Sequence, residues 1–165
     1  MITKDHYIES IRNEVNVIKH LHTKVPKDKL DYRPTPQQRS MQELLEYLPC
    51  NLAALSKHLL SGDWTTAKGT FDAVKQAARA DFPGTMDREA EAFIMIIQAI
   101  PEAGFATREI RTPMGTTVKL GTALLDFHIK FLAGYKMQLF LYLKSCGLSE
   151  LSTSNCWRGM DPVKK

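Results

Sequence analysis

The sequence predicts an all-α protein, a bundle of four main helices with long crossover connections. Three observations carry this. Apolar residues recur at alternating spacings of three and four along four stretches of the chain. A Ser-x-x-Glu capping box opens the second stretch, and Gly or Pro stands just beyond the ends of others. One short and two long connections between the stretches fit crossovers better than an up-and-down array.

The first helix is expected over residues 4 to about 23. Ile8, Ile11, Val15 and Ile18 form its inward stripe, Thr3 is placed to cap it, and Asp5 sits favourably in the first turn. Pro26, Pro34 and Pro36 forbid helix through VPKDKLDYRPTPQQR. In the capping box Ser40-Met41-Gln42-Glu43, the Ser40 hydroxyl and the Glu43 carboxylate satisfy each other's orphan backbone donors. The second helix continues through Leu45, Leu48, Leu52, Leu55 and Leu59 to Gly62, with a kink near Tyr47 to Cys50 because Pro49 removes a hydrogen bond.

A short helix follows around residues 70 to 79, set between Gly69 and a Phe82-Pro83-Gly84 turn. The third main helix runs from about Asp87 to Ile100, with Phe93, Ile94, Ile97 and Ile100 inward and Pro101 as its stop. FATREIRTPMGTTVKL reads as two extended pieces about Pro113-Met114-Gly115, a small hairpin or an irregular crossover. The fourth helix spans about 118 to 146, ending in a Schellman-type arrangement at Gly147 and Leu148. The tail, residues 148 to 165, has no periodicity, and Trp157 within it marks a segment that packs back onto the body or an interface anchor.

At 165 residues the chain is most simply one domain, residues 1 to 165, able to bury a core without disulfides or metals. No apolar run approaches the roughly 18 residues of a membrane span, and the charged N-terminal residues do not resemble a secretory signal, so a cytoplasmic location is expected. Cys50, Cys146 and Cys156 lack metal or redox spacing. The net charge of +4 comes from bases interspersed with acids, which points away from nucleic acid.

Two helices carry a second, half-polar stripe. On the fourth it is His128, Phe131, Tyr135 and Gln138, beside the apolar Ile129, Leu132 and Leu139. On the second it is Leu44, Tyr47, Asn51, Ala54 and His58, beside the leucines. Bundles build ligand and metal sites from such facing side chains, so a cleft between these helices is expected. His58 and His128 are expected to be offset by roughly 6 to 10 Å along the helix axes, too far to share an ion. Cys50 lies one turn from Tyr47 but has no activating base set by sequence. Arg33 and Arg39 can bind an anion at the start of the second helix or pair with neighbouring acids such as Asp31 and Glu43.

The order of helix, YRPTP loop, Arg39-Ser40-Met41-Gln42-Glu43-Leu44-Leu45 helix, crossover and Tyr135-Lys136-Met137-Gln138-Leu139 helix resembles the DinB-like (YfiT-like) superfamily of bacterial four-helix bundles, over nearly the whole chain. The resemblance implies that fold, a homodimer in many members, and a divalent metal held by one histidine of the second helix and an HxxxH pair of the fourth. Some members are hydrolases or thiol-dependent S-transferases. The three ligand positions fall here on Tyr47, Phe131 and Tyr135, while Gln138 keeps the family's glutamine. A phenylalanine cannot coordinate, and a phenol competes poorly with imidazole.

The preferred expectation is a metal-free, cofactor-free member that binds a small molecule or partner in the cleft of Tyr47, Asn51, His128, Phe131, Tyr135 and Gln138. No catalytic residue is assigned. The alternative is a zinc- or nickel-dependent hydrolase or thiol S-transferase with a rearranged site.

Overall fold

The computed structural model describes residues 3 to 163. Helix α1 spans Lys4–His22, and its start is a capping box in which His6 takes the place of the usual Glu. The Thr3 hydroxyl accepts from His6 N at 3.3 Å, and Thr3 N donates to His6 Nδ1 at 3.2 Å. After the proline-rich loop, α2 (Met41–Tyr47) opens with the expected box: Ser40 Oγ accepts from Glu43 N at 3.2 Å and Glu43 Oε2 accepts from Ser40 N at 2.7 Å.

The second helix does not kink at Pro49; it breaks. A tight 3-10 turn occupies Leu48–Asn51, Leu52 leaves the helical region at φ −114° and ψ −120°, and α3 begins afresh over Ala53–Ser61. Pro49 cannot donate to the Leu45 carbonyl, and the groups freed around the break find other partners. Asn51 Nδ2 donates to the carbonyls of Tyr47 (2.9 Å) and Leu48 (3.1 Å), while the Glu89 carboxylate accepts from Ala54 N at 2.9 Å. Gly62, at φ 71°, closes α3 in the left-handed conformation.

Helix α4 (Ala67–Ala80) is longer than expected, and α5 (Phe82–Ala99) begins well before Asp87. Phe82-Pro83-Gly84 is the first turn of a helix. The Asp81 carboxylate accepts from Gly84 N at 3.0 Å, and Pro83 stands where no backbone donor is needed. A further short helix, α6 (Glu102–Thr107), leads into an antiparallel hairpin of β1 (Glu109–Arg111) and β2 (Thr117–Lys119) with Ile110 opposite Val118.

The fourth long helix starts at Leu120, after the hairpin, and is itself divided into α7 (Leu120–Leu124), a π turn over Leu125–Ile129 and α8 (Lys130–Ser145). The Tyr7 hydroxyl donates to the Leu124 carbonyl at 3.0 Å, at the entrance to that π turn. The Schellman end is present: Gly147 N reaches Lys144 O at 3.1 Å and Leu148 N reaches Leu143 O at 3.2 Å, with Gly147 at φ 105°.

Helix α1 packs on α5 and α8, α3 on α5, and α2 with its following turn on α8, while α4 lies across α2, α3 and α5. Ile11, Ile18, Leu48, Phe93 and Leu139 are wholly buried in the shared apolar core, each contributing about 1.5–3 kcal/mol by leaving water. Leu151, Asn155 and Cys156 of the tail are buried against the body, and Trp157 stays 55% exposed. Lys136, only 1% exposed, sits on the apolar stripe of α8 and pairs with Glu14 of α1 at 2.9 Å, with Trp157 over its ammonium at 4.5 Å. Among the described residues, no helix is long and apolar enough to cross a membrane.

Candidate functional site

Helices α2 and α8 pass each other antiparallel, so Arg39 meets Tyr142, Tyr47 meets Tyr135, and Asn51 meets His128. The rings of Tyr47 and Tyr135 contact edge to face, centroids 5.2 Å apart at 84°. Phe131 continues the cluster 6.1 Å from Tyr135, and Phe127 lies 5.6 Å from Phe131. Burial pushes the Tyr47 phenol up to about 12; the neighbouring Tyr135 phenol adds to this and the Arg39 charge opposes it.

Beneath the tyrosines, His128 is fully buried. Its Nδ1 donates to the Asn51 carbonyl at 2.7 Å, which leaves Nε2 bare to accept from the Ser56 hydroxyl at 3.2 Å. The Phe93 ring packs 4.6 Å away, and burial lowers the imidazole to about 4, so His128 is neutral at ordinary pH. Both nitrogens already have partners, which is the behaviour of a packed core histidine. Gln138 Nε2 donates to the Tyr142 hydroxyl at 2.6 Å, and that hydroxyl donates to the Arg39 carbonyl at 2.9 Å.

Of the six candidate residues, Tyr47, Phe131 and Tyr135 come together as one ring cluster, Asn51 and His128 form a separate buried pair, and Gln138 acts through Tyr142. The stripe from Leu44 to His58 does not remain one face, because the break at Pro49 resets its phase. His58 donates to the Asp63 carbonyl at 2.8 Å and lies between Trp64 and Phe71, away from His128.

Tyr47, Phe131 and Tyr135 do not fit a divalent ion. One has no lone pair to give, and burial further disfavours the phenolate of Tyr47 that coordination would require. Comparison with family models, with characterised proteins and with solved structures finds no match. Cys50 is equally unsuited to nucleophilic work: burial pushes its thiol up to about 12, and Sγ lies against the carbonyls of Glu46 (3.6 Å) and Phe71 (3.7 Å).

Open space lies on the outer side of Tyr47. A cleft of about 510 Å³ is bounded by the proline-rich loop, α2 and α4, against the crossover helix and not between the second and fourth main helices as expected; of the six residues expected to line a cleft, Tyr47 alone is in its wall. The Arg39 guanidinium rests 4.0 Å above the Tyr47 ring and 5.7 Å from that of Tyr135. Arg33 faces Glu43 at 3.4 Å, the pairing with a neighbouring acid that the sequence allowed. Arg79 of α4 binds the nearly buried Glu46 at 2.6 Å, and Lys75 completes the basic side. Sequence reasoning missed Glu46, Lys75 and Arg79. The one available signal was a Glu among the leucines of α2, and nothing local ties it to α4.

Proposed function

We propose that this chain is a metal-free, DinB-like four-helix bundle that binds a small molecule at the cleft beside Tyr47, as a binding module and not as a metalloenzyme. A cytoplasmic location and a homodimer belong to the same reading. The observation that carries it is the meeting of Tyr47, Phe131 and Tyr135 in one cluster, at the three positions where the resembled bundles place histidines. Rings that fill the space of an ion and its waters leave ligand binding to the adjoining cleft, where Tyr47 offers one face of its ring and Arg39 a charge.

The test is to rebuild the metal centre. In the triple variant Tyr47→His, Phe131→His, Tyr135→His, elemental analysis after incubation with zinc or nickel and removal of free ion is expected to find about one ion per folded chain, against none in the wild type. A folded triple variant without metal would overturn the placement of the ancestral centre. Stoichiometric metal in the wild type, lost on His128→Ala, would overturn the metal-free reading.

A further inference from the structure

We infer that the cleft beside Tyr47 is an oxyanion site, with Arg39 as its principal ligand for the phosphate or carboxylate group of a small molecule. This rests on reading the cleft as the ligand site. The charges around it are unequal: Arg33, Arg39, Lys75 and Arg79 face Glu43 and Glu46.

Both carboxylates are committed to the fold. Glu43 Oε2 accepts from Ser40 N in the capping box, with Arg33 3.4 Å away, and Glu46 accepts from Gln42 Nε2 at 3.0 Å and from Arg79 Nε at 2.6 Å. Two arginines are thereby neutralised and two cations remain. Among the described residues Lys75 has only Asp72 at 3.4 Å, a carboxylate that Lys68 holds more closely at 2.6 Å. Among the described residues no carboxylate lies within 4.0 Å of the Arg39 guanidinium; its charge acts on Glu43 only at longer range, behind that of Arg33.

Arg39 is also held ready. Its carbonyl accepts from the Tyr142 hydroxyl at 2.9 Å, a hydroxyl that Gln138 fixes in turn. Its guanidinium lies on the Tyr47 ring, which Tyr135 supports from the side. A guanidinium stacked on an aromatic face keeps its N–H groups in the plane of the stack, directed along its edges, and has little rotamer freedom left to lose when an oxyanion binds bidentately. The concave wall concentrates the field of Arg39 and Lys75 on a group that fits within the cleft, which favours a small anion over an extended polyanion.

The experiment is a titration of the ¹⁵N-labelled protein with inorganic phosphate and with citrate at constant ionic strength, chloride making up the difference, following the Arg39 Nε–Hε and Lys75 amide signals. The expected result is saturable shifts at these positions, with phosphate or citrate the tighter according to whether the natural group is a phosphoryl or a carboxylate. Arg39→Gln should weaken binding by about tenfold or more, the worth of a charge-assisted contact. Arg12→Gln, which removes the same charge from the exposed Glu91 pair, should leave binding unchanged. Shifts that grow linearly and are matched by chloride, or equal weakening in both variants, overturn the inference. If neutral aromatic fragments perturb Tyr47 and Tyr135 while the anions do not, the oxyanion class falls and the ligand cleft stands.

Discussion

His128 keeps its neutral form because both ring nitrogens have partners and no water reaches the ring. An unfolded histidine titrates near its ordinary 6.5 and this one near 4, so between those values the unfolded chain binds the extra proton. The stability contributed by the neutral ring is therefore complete above about pH 6.5 and lost as pH falls toward 4, by about 3 kcal/mol in all. Urea denaturation of wild type and His128→Ala across this range checks it. The variant should lose about 2–4 kcal/mol at pH 7, from the orphaned Asn51 carbonyl and the cavity, and its stability should fall less steeply in acid. A variant whose slope matched the wild type would mean that other groups carry the pH dependence.

At the scale of elements, the two interruptions matter more than the helices they divide. Pro49 splits the second helix, and Asn51 supplies side-chain donors to two carbonyls on the N-terminal side of the break. Asn51→Ala is expected to cost about 1–2 kcal/mol by removing these two side-chain hydrogen bonds, the carbonyls keeping their backbone partners within the 3-10 turn. Asn51→Asp should cost more, since it removes the donors and places a negative charge beside carbonyl oxygens in a buried site. Thermal or urea unfolding of the two variants would separate these cases, and equal stability of all three proteins would mean that the break needs no support. The π turn over Leu125–Ile129 has the matching effect on the fourth helix: it alters the angle between residues before and after it, and His128 lies inside it.

Across the whole molecule, α1, α8 and the tail are joined by a charge pair that an apolar core would not need. Lys136 and Glu14 meet across 122 residues of chain, with Trp157 above the ammonium. Removing one partner strands the other, so Lys136→Met should cost about 3–5 kcal/mol, while Lys136→Met with Glu14→Gln should recover most of it. A double-mutant cycle in urea measures this coupling, and additive losses would show the two charges to be independent. The same assembly brings Arg79 of α4 onto Glu46 of α2, so the basic side of the cleft exists only when the crossover helix is docked.

By itself the sequence determined the all-α class, the capping box at Ser40 and the Schellman end at Gly147, and it left a hairpin or an irregular crossover open around Pro113-Met114-Gly115. Each depends on hydrogen bonds and backbone angles among residues close along the chain. It also put Phe131 and Tyr135 one turn apart on one helix, since register within a helix is local, while the meeting of Tyr47 with them is a contact between helices. The buried ion pair left a trace in a Lys and a Glu on otherwise apolar stripes, but a stripe does not say which partner it meets. Only the tertiary structure decided that Pro49 breaks the helix and divides the Asn51 and His58 faces, that His128 is saturated by Asn51 and Ser56, and that Arg39 lies on Tyr47 opposite α4. Those outcomes are contacts between residues far apart in sequence, and packing alone selects them.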